Sequence, residues 1–161
     1  MAARGRTALL VIDCQSIYTD TVDTGAFPRL VPSIKAVLAA ARASDGRCLI
    51  VHVRAAYSVE EDEWYTKFCA NRPEKPRRVV PTDVPAWAEA QEGENELVAI
   101  KRHFSAFDTP TAGLLEVLRR QGVSHLLCCG LLTSVCVHHT AIGAHQRGFA
   151  VSVVALSLIH I

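Results

Sequence analysis

The stretch that decides the fold is residues 125–155, HLLCCGLLTSVCVHHTAIGAHQRGFAVSVVA. Its first six residues form a continuous apolar run closed by Gly130, which predicts a strand buried on both faces. Residues 135–147 then carry a helical pattern that stops at Gly148, and glycine just past a helix end is the usual C-terminal signal. A second apolar run, residues 149–155, follows at once. Strand, helix and strand in so few residues predict a parallel crossover unit. Cys136 stands at the opening of the helix.

The same rhythm extends toward the N-terminus. Residues 7–13 (TALLVID), 47–53 (RCLIVHV) and 96–101 (ELVAIK) are short apolar runs with the same bounds. Helical patterns lie between them. Residues 31–43 space Ile34, Val37 and Leu38 on one face, and residues 111–121 carry Leu114, Leu115 and Leu118 before Gly122. The pattern predicts one three-layer α/β domain over residues 1–161, an open, mostly parallel sheet flanked by helices. Residues 55–93 break the rhythm with prolines, Trp64, Trp87 and two charge clusters, and are expected to form a lid or insertion.

Bulk properties narrow the function. The 161 residues are half apolar and one fifth charged, with a net charge of +1. That balance is globular and gives no electrostatic basis for binding nucleic acid or an anionic membrane surface. No apolar run approaches the ~20 residues of a membrane helix, and no signal-peptide pattern opens the chain. The six cysteines form no Cys-x-x-Cys pair and several lie inside strand-like runs, so a reduced, cytoplasmic protein is expected. Neither a Gly-x-Gly-x-x-Gly run nor a Walker loop occurs, which argues against a nucleotide-binding module.

In open α/β sheets, ligands bind beyond the carboxyl ends of the strands. Asp13 closes the first strand, Lys101 closes the third, and Cys136 opens the helix after the fourth. A helix N-terminus favours a thiolate, a carboxylate can accept the thiol proton, and an ammonium can hold both anions. Backbone N–H groups of Leu132 and Cys136 are candidates for an oxyanion hole. Each residue also has a plain reading: a small buried hydrophobe, a strand-end cap, a surface lysine. Cys128 and Cys129 fit the first of these. His52 and Arg54 share one face of a strand end, where either is a candidate to meet substrate. His138, His139 and His145 read as solvent-facing helix residues.

Three motifs carry a family resemblance. Leu10-Val-Ile-Asp-Cys-Gln15, Lys101-Arg-His-Phe-Ser-Ala-Phe107 and Cys129-Gly-x-x-Thr-x-x-Cys-Val-x-x-Thr-Ala141, followed by Ala144 and Gly148, resemble the isochorismatase-like cysteine hydrolases from residue 7 to about 154. The resemblance implies a catalytic triad of Asp13, Lys101 and Cys136. It also implies a non-proline cis peptide at Leu131–Leu132 that presents the Leu132 N–H to an oxyanion. The implied sheet order is 3-2-1-4-5-6, of which the sixth strand is expected to be missing here, with the chain truncated or altered after about residue 155. It implies hydrolysis of a small amide or N-carbamoyl compound through a thioester, with a homo-oligomer as the common assembly. The alternatives are vinyl-ether cleavage of the isochorismatase type and a catalytically incompetent or non-enzymatic domain of the same fold. Nicotinamidase-type members bind metal through an Asp-x-His pair. Here His52-Val-Arg54 fills that place, so neither a metal nor another cofactor is carried over. Gln15, Phe104 and Phe107 join His52 and Arg54 as expected substrate contacts.

Overall fold

The computed structural model describes residues 5–18, 28–72, 80, 86–87, 90–108 and 113–158, the last four by backbone only. Five strands alternate with helices along the chain: β1 (Arg6–Ile12), α1 (Leu30–Arg42), β2 (Cys48–Ala55), α2 (Glu63–Ala70), β3 (Leu97–Lys101), α3 (Leu114–Arg120), β4 (Val123–Gly130), α4 (His138–Gln146) and β5 (Ala150–Leu158). The sheet order is β3-β2-β1-β4-β5, and every pairing is parallel. The expected order over the five strands therefore stands.

Both faces of the sheet are covered, which explains why the strands read as unbroken apolar runs. On one face, Leu30, Ile34 and Leu38 of α1 pack on Leu9, Val11 and Ile50. On the other, Leu114 and Leu118 of α3 and Ala144 of α4 pack on Ala8, Leu10, Ile12, Val51 and Val53. Successive strand residues point to opposite faces, so each strand contributes to both cores. Leu9, Leu10 and Ile12 are completely buried. Each such side chain stabilises the fold by roughly 1.5–3 kcal/mol relative to an exposed one.

The structure departs from the expected elements in three places. The helix expected over residues 135–147 is preceded by a wide π turn, Thr133–Val137, in which the Val137 N–H reaches back to the Leu132 carbonyl at 3.1 Å. Regular α4 begins only at His138. Second, β5 continues to Leu158, three residues past the apolar run expected to end at residue 155; residues 159–161 lie outside the described residues. Third, the irregular stretch after β2 contains α2. Its Trp64, Tyr65, Phe68 and Cys69 fall at i, i+1, i+4 and i+5, a helical face that the flanking prolines obscure. Residues 73–79, 81–85 and 88–89 of the expected lid or insertion lie outside the described residues.

Gly130 shows what lets the strand ends converge. It has φ +118°, and a Cβ there would lie 2.0 Å from the Ile12 carbonyl oxygen. Only glycine allows β4 to pass this close to the end of β1. The next residue continues the contact, with the Leu131 N–H donating to Ile12 O at 2.9 Å.

Candidate active site

Asp13 leaves β1 in the left-handed region, with φ +54°. Aspartate is among the few residue types that enter this region at modest cost, and such conformations cluster at functional sites. The Asp13 N–H is held by the Val53 carbonyl at 2.8 Å. Gln15 fastens the turn further. Its Nε2 donates to the Ala55 carbonyl at 3.0 Å, and its Oε1 accepts from the Ala55 N–H at 2.7 Å. The expectation that Gln15 meets substrate is thus corrected. Its amide spends both ends on one backbone unit and positions the Asp13 turn.

Lys101 ends β3, wholly buried. Its Nζ lies 3.0 Å from Asp13 Oδ2, 3.3 Å from Cys136 Sγ and 3.2 Å from the His103 carbonyl, and it also donates to the Tyr57 hydroxyl. Cys136 sits in the π turn, 7% exposed. Insertions of this kind into helices recur at functional sites. Lys101 thereby bridges the Asp13 carboxylate and the Cys136 thiol. The structure therefore brings the three candidate residues into one contact set on the α3–α4 side of the sheet. The Leu131–Leu132 peptide beside it is cis.

The electrostatics differ from those expected for a helix-activated thiol. Burial, followed by the charge of Asp13, pushes the Cys136 thiol up to about 12, with Lys101 acting the other way. The resting sulfur is protonated. Burial likewise raises the Asp13 carboxyl, with the Lys101 charge opposing it. Burial alone would lower Lys101, but Asp13 and Cys136 outweigh it and hold the ammonium charged. Cys128 and Cys129 are also pushed up to about 12 by burial. Acidity does not separate Cys136 from these inert thiols. Its neighbours do, because it alone of the three meets an ammonium that also holds a carboxylate. The other carboxylate oxygen, Asp13 Oδ1, is buried without a hydrogen-bond partner.

His52 and Arg54 belong elsewhere, and this corrects their expected role. They alternate with Val51 and Val53 and so project to the α1 face, away from Cys136. There His52 Nε2 pairs with Glu96 Oε2 at 2.7 Å, and Arg54 pairs with Glu92. Glu96 also binds the Arg42 guanidinium at 2.7 Å. Phe107 is corrected as well. It is a core residue stacked on Phe149, with the Arg147 guanidinium 5.4 Å above its ring and bonded to its carbonyl. The end of its motif docks on α4, where Thr140 Oγ1 accepts the Ala106 N–H at 3.1 Å. Phe104 is half-buried against Trp64, Phe68 and His139. This aromatic group continues through Trp64 to Tyr57, whose hydroxyl lies 3.8 Å from Cys136 Sγ. Sequence reading overlooked Tyr57, and no spacing rule singles it out. His138, His139 and His145 are exposed. Among the described residues, no cluster of His, Cys, Asp or Glu could hold a metal ion.

The isochorismatase domain family matches residues 7–155 of the chain. The protein belongs to that family. Among solved structures, an isochorismatase family protein from Desulfovibrio vulgaris superposes with a TM-score of 0.78 at 26% identity, over 97% of this chain and 83% of that one. N-carbamoylsarcosine amidase from Thermoplasma acidophilum gives 0.76 at 20% identity, over 97% and 85%. Pyrazinamidase/nicotinamidase from Streptococcus mutans gives 0.75 at 22% identity, over 95% and 87%. No curated protein sequence matches. For this isochorismatase-family chain, the last two likenesses establish shared fold, and the family match establishes kinship with hydrolases. No helix among the described residues is long and apolar enough to cross a membrane.

Proposed function

We propose that this chain hydrolyses a small amide or N-carbamoyl compound, with Cys136 as nucleophile and a thioester as intermediate. The observation that carries the reading is the buried Lys101 ammonium in contact with both the Cys136 thiol and the Asp13 carboxylate. Asp13 takes the thiol proton as sulfur attacks the carbonyl carbon, so the thiolate exists only when needed. The backbone N–H groups of Leu132 and Cys136 receive the oxyanion. Asp13 returns the proton to the leaving nitrogen, the C–N bond breaks, and ammonia or an amine departs. A water then gives its proton to Asp13 and attacks the thioester. The acid leaves as the sulfur regains a proton. Lys101 stays charged throughout and keeps Asp13 anionic at rest. Two proteins sharing the fold are named an N-carbamoylsarcosine amidase and a pyrazinamidase/nicotinamidase, which directs the choice of bond to C–N. Phe104 and Trp64 supply a flat apolar wall for the substrate.

The test is ammonia release from a panel of primary carboxamides and N-carbamoyl amines. Turnover should vanish in both Cys136→Ala and Asp13→Asn while melting temperature is kept. Ammonia release that survives Cys136→Ala but not Asp13→Asn would overturn the nucleophile.

A further inference from the structure

Lys101 Nζ has three N–H bonds but four acceptors within reach: Asp13 Oδ2, Cys136 Sγ, the His103 carbonyl and the Tyr57 hydroxyl. The phenol is the member that can return what it takes. It accepts from Lys101 and still has its own O–H to give. Two acceptors lie within range of that O–H, the His103 carbonyl at 3.2 Å and Cys136 Sγ at 3.8 Å. At rest the nearer carbonyl holds it. A sulfur that has lost its proton is the stronger acceptor, because hydrogen bonds to a charged partner are roughly twice as strong as neutral ones.

We propose that Tyr57 is a fourth member of the catalytic network, turning its hydroxyl from the His103 carbonyl to the Cys136 sulfur as the thiolate forms and back once the sulfur is acylated. No covalent bond of Tyr57 breaks. The thiol proton still goes to Asp13, and the phenol contributes a hydrogen bond only. With Lys101 it gives the anion two donors from one side.

The setting suits a small rotation about the C–O bond and little else. The ring is 6% exposed and fixed by Trp64 at 5.4 Å and Tyr65 at 5.1 Å between centroids, with Lys101 Nζ 4.9 Å from its own centroid. The N–H of Tyr57 donates to the Val80 carbonyl at 3.0 Å, and its carbonyl accepts from Val80 at 2.8 Å. The backbone is thereby pinned on both sides. Burial, with Asp13 and Cys136 nearby, pushes the phenol well above its ordinary value, so it remains a donor across the working range. A group held this firmly against the reacting atom, with only its proton free to turn, is built to respond to charge on that atom. Long hydrogen bonds that tighten during reaction are common in resting active sites.

The inference rests on Cys136 being the nucleophile, so its test must separate the two. p-Nitrophenyl acetate acylates a reactive thiol whatever the natural substrate is. The rate of acetyl transfer to Cys136, read by peptide mass spectrometry, is compared between the wild type and Tyr57→Phe, which keeps the ring and its packing. The expected result is a roughly tenfold or greater loss of acetylation rate in Tyr57→Phe, the order expected for one hydrogen bond to a charged group, with an unchanged melting temperature. Tyr57→Leu, which also removes the ring, should melt earlier yet lose little further rate at a temperature where it is folded. Equal rates in wild type and Tyr57→Phe would overturn the role of Tyr57 while leaving Cys136 as nucleophile. So would a rate in Tyr57→Leu that falls below that of Tyr57→Phe by as much as Tyr57→Phe falls below the wild type, because packing would then explain the loss. Absence of acetylation at Cys136 in the wild type would overturn both readings together.

Discussion

Two carboxylates, Asp13 just past the carboxyl end of β1 and Glu96 just before the amino end of β3, lie on opposite faces of the sheet, the first fully and the second partly buried. Glu96 is saturated. It accepts from the Arg42 guanidinium through both oxygens, from His52 at 2.7 Å and from the Gly93 N–H at 2.8 Å. These donors, Arg42 foremost, hold its carboxyl down at about 2. Asp13 has a cation on one oxygen and no hydrogen-bond partner on the other, and burial raises it. A carboxylate whose lone pairs are all engaged has no affinity left for a proton, so it can fix strands but cannot act as a base. One left short keeps that affinity. The difference between a structural and a reactive acid here lies in the donors supplied and in the depth of burial, which is greater at Asp13.

The largest expected effect falls on the Asp13 side. Cys136→Ala should reduce amide turnover by roughly 10⁴-fold or more, as removal of a nucleophile does elsewhere, with little change in urea midpoint. Next comes the joint on which both faces depend. Gly130→Ala forces a Cβ to within 2.0 Å of Ile12 O, and should cost about 3 kcal/mol or more in urea denaturation. A loss under about 1 kcal/mol would mean that β1 and β4 can part without harm.

The Glu96 side should answer in stability and pH alone. Its folded value lies below the ordinary 4.5. The stabilisation it brings is therefore full above that pH and fades as pH falls toward 2. Glu96→Gln should lower stability by about 2–3 kcal/mol at pH 6 and by progressively less toward pH 3, by denaturant titration at each pH. Cys136 acetylation in the folded Glu96→Gln protein should match the wild type. If it does not, the two faces are coupled and the contrast fails. The smallest effect belongs to Thr140→Val, which removes the acceptor for the Ala106 N–H at 3.1 Å and should cost about 1–2 kcal/mol in a melting series.

The strands were legible because a sheet covered on both faces demands apolar residues at every position, as in residues 7–12. The helix ends were legible where glycine marks them, at Gly122 and Gly148. The π turn was not, since Thr133–Val137 carries no periodicity that distinguishes it from the helix it opens. Asp13, Lys101 and Cys136 could be placed together because strand ends in a parallel sheet share a rim. His52 and Arg54 were misplaced for the complementary reason. Being at the rim does not say which face a side chain takes, and the period of two puts them opposite Val51 and Val53. Tyr57 follows β2 by two residues in a segment without pattern, so only the fold shows that its hydroxyl meets the sulfur. The rise that burial imposes on the Cys136 thiol was not legible either, because its place in the chain does not show how deeply it is buried.

The most direct test of the claim that neighbours rather than acidity make Cys136 reactive is its iodoacetamide labelling rate at neutral pH, read cysteine by cysteine by mass spectrometry in the wild type and in Asp13→Asn. With Asp13 as base, Cys136 should label faster than the fully buried Cys128 and Cys129. It should lose most of that rate in Asp13→Asn, while the half-buried Cys48 labels alike in both proteins. Labelling of Cys136 that is as slow as that of Cys128 and Cys129, or that is unchanged by Asp13→Asn, would contradict the account.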